Sequence, residues 1–254
     1  MTVVRTEVID GVAHVVMEAP PVNALTVAGW FGLAEAVTAA GTRDDVRAVV
    51  LRAVGRGFNA GVDIKEIQAA DDPRQLLLGA NRGCAAAFAA VYDCLVPVVA
   101  AVNGHCLGGG IGLVGNADVV VASDDAYFGL PEVDRGALGA ATHLARLVPQ
   151  HKMRSMVYLA ENASAAELAA WGSVYAVVPV DRLVDAAHDV AARIASKSGV
   201  VIRAAKQSLN GIDLWDVKRS YRFEQGFTFE LNLDGVADEH RAAFVDQRPT
   251  DVTR

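Results

Sequence analysis

The stretch H-C-L-G-G-G-I-G-L-V-G-N, residues 105–116, sets five glycines into an otherwise apolar run. Inside a helix or strand each glycine costs roughly 0.5–1 kcal/mol relative to alanine. Three in a row, where the buried strand Val96–Val102 gives way to a helix, therefore imply that something must approach this backbone closely. A second turn is built alike: F-N-A-G-V-D at 58–63 follows the short apolar strand Ala48–Leu51 and leads into another helix. Strand, glycine turn and helix thus occur twice, which restricts the chain to α/β architectures.

The other elements agree with that class. Val3–Ile9 and Val12–Met17 read as two strands joined by the hairpin turn Asp10-Gly11. Thr26 caps a helix in which Val27, Trp30, Phe31, Ala34 and Val37 recur at helical spacing until Gly41. A helix is expected over 74–94 and a strand over Asp118–Ala122, with Ala126–Val133 irregular or extended beside it. Alanine-rich helices follow over 151–160, 164–171, 181–197 and 200–210, with one strand, Val174–Val178, among them. The last fifty residues offer no strand partner, and their aromatic stripe of Tyr221, Phe223, Phe227 and Phe229 reads as core or subunit contact, ahead of contact with a ligand. The expected organisation is a core over residues 1–197 and a C-terminal helical region over 198–254.

At 254 residues and 52% hydrophobic, the chain can bury a large core as one domain with an appended tail. The net charge of −7 is spread without a basic block, which argues against nucleic acid or an anionic membrane as partner. Cys84, Cys94 and Cys106 have no metal-binding or disulfide spacing and read as reduced core residues. Neither a leader nor a long apolar span is evident, so a cytoplasmic location is expected.

Three readings of the glycines compete. Gly110-x-Gly112-x-x-Gly115 matches a dinucleotide fingerprint, with Glu132 placed for a ribose, but seven residues separate Gly110 from the strand ending at Val102. Close packing of helix on strand accounts for Gly115 and leaves the triplet unexplained. Chemically, a helix start offers free N–H groups and partial positive charge, and glycine lets an oxygen reach them. Two such turns converging on one point would form an oxyanion hole.

Six segments resemble the crotonase, or enoyl-CoA hydratase/isomerase, superfamily: P-V-N-A-L at 21–25, G-R-G-F-N-A-G-V-D-I-K-E at 55–66, P-V-V-A-A-V-N-G-H-C-L-G-G-G at 97–110, N-A-D-V-V-V-A at 116–122, F-G-L-P-E at 128–132 and A-A-K-Q-S-L-N at 204–210. The resemblance implies a spiral of ββα units, a C-terminal helical region, and assembly as a homotrimer or dimer of trimers. It also implies a coenzyme A thioester as substrate, with no further cofactor and no metal. Its oxyanion hole would be the backbone N–H groups of Val62 and Gly109. Ala24, Ala60, Asp63, Ile64 and Gly108 would cradle the CoA portion, with Lys65 near the nucleotide.

Two departures redirect the chemistry. Hydratases of this family carry two glutamates; here the first position is Gly112, and the second survives as Glu132. Syn hydration would lack one acid/base partner. After Glu132 the chain continues V-D-R-G-A-L-G-A-A-T-H-L, so Asp134, Arg135, Thr142 and His143 are expected near a substrate with more oxygens than a fatty acyl chain. Together with A-N-R-G-C at 80–84 and E-Q-G-F-T-F-E-L-N-L at 224–233, these motifs look like a ring-opening branch of the superfamily, which hydrolyses the six-membered ring of a bicyclic diketone carboxyl-CoA in bacterial steroid breakdown. On that reading Glu132 activates water, and His143 or Asp134 orients water or ketone, with Arg135 also at the substrate. Isomerisation with a single glutamate, hydration, and a non-catalytic acyl-CoA carrier remain the alternatives.

Overall fold

Asp10 and Gly11, at φ of 48° and 81°, turn the chain between β1 (Val4–Ile9) and β2 (Val12–Met17). Positive φ at both turn residues is what a two-residue hairpin demands. The computed structural model describes residues 3–214 and 216–250. Beyond the hairpin lie β3 (Ala48–Ala53), β4 (Gly57–Asn59), β5 (Val98–Val102), β6 (His105–Leu107), β7 (Val119–Ser123), β8 (Tyr127–Gly129), β9 (Asn162–Ser164) and β10 (Ala176–Val178). They make two sheets. The larger has the order β1-β2-β3-β5-β7-β10 and is parallel from β2 onward; the smaller has the order β4-β6-β8-β9 and is parallel until β9.

The helices are α1 (Val27–Thr42), α2 (Ile64–Gln68), α3 (Pro73–Tyr92), α4 (Gly109–Val114), α5 (Ala141–Leu144), α6 (Gln150–Leu159), α7 (Ala165–Ala170), α8 (Leu183–Ala195), α9 (Gly199–Gly211), α10 (Val217–Leu233) and α11 (Val236–Val245). A 3₁₀ turn at Pro131–Arg135 stands between β8 and α5. The predicted hairpin, the Thr26 cap and most helices form as the sequence implies, Thr26 accepting from the Gly29 amide.

The smaller sheet departs from expectation, since 57–59, 105–107 and 127–129 read as turns or irregular pieces. Strands of three residues are too short to display an alternating pattern, and Gly57 weakens the signal further. It must be glycine, because a Cβ there would lie 2.2 Å from the His105 ring. Strand β6 also ends two residues before α4 begins, so the argument against a dinucleotide site from a distant strand does not hold. A different observation disposes of that site. Cβ atoms on Gly110 and Gly112 would lie 2.8 Å from the Asn59 carbonyl and 2.1 Å from the Phe88 ring, so these glycines face protein and leave no room for a pyrophosphate.

The main core fills the space between the large sheet, α1, α3 and the small sheet, with Trp30, Phe58, Phe88 and Phe128 at its centre. Full burial of each such side chain contributes about 1.5–3 kcal/mol. A second core on the opposite face packs Leu183, Ala187 and Ala191 of α8 against Val50, Val99 and Val121. Lys206 of α9, 4% exposed, pairs with Asp118 at 2.8 Å and fastens that helix to the start of β7. Helices α10 and α11 fold back over α3, α5 and the Pro131–Arg135 turn, closing the side of the molecule where both glycine turns end. The tail expected over 198–254 is thus helical as far as it is described, and residues 251–254 and Trp215 lie outside the described residues. No helix among the described residues is long and apolar enough to cross a membrane.

Candidate active site

The turn after β4 is held from within. Asn59, fully buried, accepts from the Gly61 amide at 2.8 Å and donates to the Asn23 carbonyl at 2.6 Å, while Asn23 donates to the carbonyls of Val54 and Gly57. Leu25 donates to the Gly61 carbonyl and accepts from the Asp63 amide, in a parallel bridge to Val62. In such a bridge the intervening residue's own N–H points to the other side. Val62 therefore presents its amide away from Leu25 and into a cleft. Gly61 makes the bend at φ +87°.

The second turn arrives at the same place. Gly108, at φ +56°, starts α4, and a Cβ built on Gly61 would stand 3.2 Å from the Gly109 nitrogen. As the first residue of its helix, Gly109 has no acceptor a turn earlier. Among the described residues neither the Val62 nor the Gly109 amide has a protein acceptor. Gly109 also abuts the Trp30 ring, which a Cβ would approach to 2.7 Å.

Glu132 faces this pair from the 3₁₀ turn. Its Oε1 lies where a Cβ on Gly108 would come within 2.6 Å, so the carboxylate leans on the residue next to Gly109. Its Oε2 is enclosed and has no partner. Burial pushes the carboxyl up to about 8, reinforced by the Glu224 charge and opposed by a backbone hydrogen bond and Arg135. A carboxyl tuned to this range can exchange a proton near neutral pH.

One cleft, enclosing about 900 Å³ including its open mouth, joins these groups. Of the residues predicted from sequence, Ala60, Val62, Ile64, Gly108, Gly109, Glu132 and Arg135 line it. Ala24, Asp63 and Lys65 do not. Asp63 caps α2 by accepting from the Lys65 and Glu66 amides, and Lys65 is exposed.

Asp134 and His143 do not meet Glu132 in the cleft. The Asp134 side chain is exposed, and its carbonyl accepts from His240. His143 is 1% exposed, edge-on to Phe88 and packed on Tyr221, with ring centroids 5.1 Å apart in each case. Its Nδ1 accepts from Asn116 at 3.1 Å, and it faces a different cavity behind those two rings. Burial and the nearby Arg146 hold it neutral, down to about 3. Sequence proximity to Glu132 misled here: the left-handed turn at Gly136 and a second at Ala140 carry the chain behind the aromatic wall. Thr142 is likewise taken up, its amide and hydroxyl both bonded to Glu224. Nor does Asp134 pair with Arg135, whose guanidinium lies over the Phe244 ring at 3.8 Å.

Gly112 explains itself. The Phe88 ring occupies the space where a side chain would begin, with atoms 2.1–2.4 Å from the Cβ position. The place of the first hydratase glutamate is filled by an aromatic ring, itself buried against Trp30, His143 and Tyr221.

Several lining residues were not foreseen: Asn81 and Cys84 on α3, Tyr221, Thr228 and Asn232 on α10, and Arg241 on α11. Cys84 is a buried free thiol, as expected, but it faces the cleft, and burial together with the Glu132 charge pushes it far up. A signal did exist in the tail. Tyr221, Gln225, Thr228 and Asn232 recur at spacings of four, three and four, which marks one helix face, and that face is the buried one. Phe223 and Phe227 point outward instead.

The sequence profile described as enoyl-CoA hydratase/isomerase matches residues 7–249, and the chain belongs to that family. Its relatives include the (7aS)-7a-methyl-1,5-dioxo-2,3,5,6,7,7a-hexahydro-1H-indene-carboxyl-CoA hydrolase of Rhodococcus jostii (strain RHA1), 67% identical over 93% of this chain and 92% of the relative. The protein of the same name from Mycobacterium tuberculosis (strain ATCC 25618 / H37Rv) is 62% identical over 96% and 99%. Among solved structures, an enoyl-CoA hydratase from Mycobacterium avium subsp. paratuberculosis K-10 superposes with a TM-score of 0.87 at 28% identity, covering 99% of both chains. The crotonase-type spiral expected from the sequence is thus the observed fold.

Proposed function

We propose that this chain is a coenzyme A thioester-dependent carbon–carbon hydrolase that opens a ring of a bicyclic diketone carboxyl-CoA in steroid breakdown. The observation that carries this is Glu132, the one carboxylate among the described residues lining the cleft, set beside two unpaired amides, with Phe88 in place of a second carboxylate. The two relatives named as hydrolases of the indene-carboxyl-CoA support the substrate class.

The chemistry of that name selects the bond. Its hydrogenation pattern leaves one ring alkene, C3a=C4, conjugated with the C5 ketone, and sets the C1 ketone beside the quaternary C7a. Breaking C1–C7a sends the electron pair through C3a=C4 into the C5 ketone and into a thioester attached in conjugation. Cleaving between C4 and C5 would leave an unstabilised vinyl carbanion. The reading therefore moves from the six-membered ring expected at first to the five-membered one.

In this scheme Glu132 takes a proton from water as its oxygen bonds to C1, and the carbonyl pair becomes an alkoxide. The alkoxide collapses to a carboxylic acid as C1–C7a breaks, and the displaced pair becomes a thioester dienolate. Val62 and Gly109 amides hold that enolate oxygen; donors fixed before charge develops lower the barrier without reorganising. Protonated Glu132 returns its proton to the dienolate carbon, and the new acid loses its own to solvent. In this reading Ala60, Ile64, Gly108 and Arg135, which line the cleft, would border the thioester arm, and Ala24, Asp63 and Lys65, outside it, would meet the nucleotide. We further place the enzyme in the cytoplasm as a homotrimer or dimer of trimers, with the exposed apolar residues Val200, Val201, Leu209 and Ile212 of the 198–254 region in the subunit contact.

The test is product mass. Incubated with the bicyclic diketone CoA ester, the protein should add the mass of one water and create a carboxylate, and crotonyl-CoA should stay unchanged. Unaltered mass with a shifted double bond would establish an isomerase instead. Binding of both esters without turnover would establish a carrier.

A further inference from the structure

Hydrolysis of a ring ketone places negative charge on two oxygens in turn, first the ketone oxygen and then the thioester oxygen. The Val62 and Gly109 amides serve the second. They cannot serve the first, because the two oxygens sit at different places on a rigid bicycle. Within the proposed reaction, then, the cleft needs another donor.

Among the described residues, two enclosed side-chain atoms without a hydrogen-bond partner belong to residues lining the cleft: Glu132 Oε2 and Asn81 Nδ2. One is a base, the other a donor. An enclosed amide N–H with no acceptor costs about 1–3 kcal/mol, so its retention calls for a partner that arrives from outside. Asn81 and Cys84 stand three residues apart on α3 and so share a helix face, and Cys84 borders the cleft alongside Glu132. Gln225 donates to the Asn81 carbonyl at 2.8 Å, tying α3 to α10 at this level. Of the other side-chain donors lining the cleft, Arg241 is bonded to Asn232 and Asp238, Thr228 to Leu138 and Asn232 to the Thr228 carbonyl, while the Arg135 guanidinium rests on the Phe244 ring.

We propose that Asn81 is a catalytic residue whose side-chain N–H donates to the oxygen of the ring ketone attacked by the Glu132-activated water. Water loses its proton to Glu132 as its oxygen bonds to the ketone carbon. The C=O pair moves onto the oxygen held by Asn81 and returns when the ring bond breaks. This assignment rests on the hydrolase reading above and adds a second oxyanion donor to it.

Two variants test it, Asn81→Leu and Asn81→Asp, neither of which offers an N–H at that point. Each is assayed in two ways: hydrolysis of the bicyclic diketone CoA ester, and solvent-deuterium uptake into a cyclohexenyl carboxyl-CoA that lacks any ring ketone. Exchange uses Glu132 and the first hole only. The expected result is a fall of about 10²–10³ in kcat for hydrolysis, as for loss of one oxyanion donor, with exchange retained and melting temperature held. Hydrolysis at the wild-type rate in either folded variant overturns the assignment, as does a parallel loss of exchange and hydrolysis. Should the wild-type protein itself leave the diketone ester intact while exchanging deuterium, the hydrolase reading fails and this assignment with it.

Discussion

Glu132 and His143 lie eleven positions apart, both enclosed, each with one ring or carboxylate atom unpaired, yet they stand on opposite sides of the wall made by Phe88 and Tyr221. Burial drives each toward its neutral form, the acid up to about 8 and the imidazole down to about 3. What separates them is the company they keep. Glu132 meets two free amides in an open cleft; His143 meets aromatic rings and an asparagine in the core. A displaced pKa is therefore a mark of function only where geometry lets a substrate reach the group.

The comparison breaks most readily at Glu132. Replacing it with Gln should cut turnover of the diketone ester about 10²–10⁴-fold. Calorimetry should still find the CoA ester bound; a variant that turns over normally would move the base elsewhere. Close behind comes Gly109→Ala, whose added methyl meets Trp30 and shifts the amide, with an expected loss of about 10²–10³ in kcat. A normal kcat in that variant would remove Gly109 from the oxyanion hole.

His143→Leu should behave in the opposite sense. It leaves one N–H of the Asn116 amide without an acceptor, the other still bonded to the Gly112 carbonyl, and should lower stability by about 1–3 kcal/mol, measured by denaturant unfolding, with kcat little changed. A large kcat loss at preserved stability would bring His143 back into the mechanism.

The two groups should also mark opposite pH edges. Glu132 binds its proton more tightly when folded, so its contribution to stability is complete below the usual carboxylate range and is lost as pH rises toward 8. His143 binds its proton less tightly when folded, so its contribution is complete above the usual imidazole value and is lost as pH falls from there toward 3. Activity should climb toward pH 8 as the base ionises. Melting curves of Glu132→Gln should flatten the alkaline edge alone, and those of His143→Leu the acid edge alone.

A smaller effect sharpens the role of Phe88. Gly112→Glu restores the residue hydratases carry, but Phe88 fills its place, so the variant should destabilise the fold and still fail to hydrate crotonyl-CoA. Measurable hydration would mean the ring yields more easily than its packing implies.

Legibility in the sequence tracked how local the cause was. The Asp10-Gly11 hairpin, the Thr26 cap and the two glycine turns are short-range chemistry, and they could be read from neighbouring residues. The small sheet could not, because strands as short as Gly57–Asn59 carry no period. Nor could the reason for Gly112, which lies in a ring contributed from α3, or the placement of His143, decided by two left-handed turns. The polar face of α10 was written at a four-three-four spacing but was hidden by the aromatic residues interleaved with it, Phe223 and Phe227, which face outward.

The central claim is that amides from two separate turns converge on one carbonyl oxygen. A crystal structure with a non-hydrolysable CoA thioether or ketone analogue tests it most directly. The account predicts the analogue's carbonyl oxygen about 2.7–3.1 Å from both the Val62 and Gly109 nitrogens, with the Glu132 carboxylate facing the ring. A carbonyl bound by only one of them, or turned toward His143 behind the aromatic wall, would contradict it.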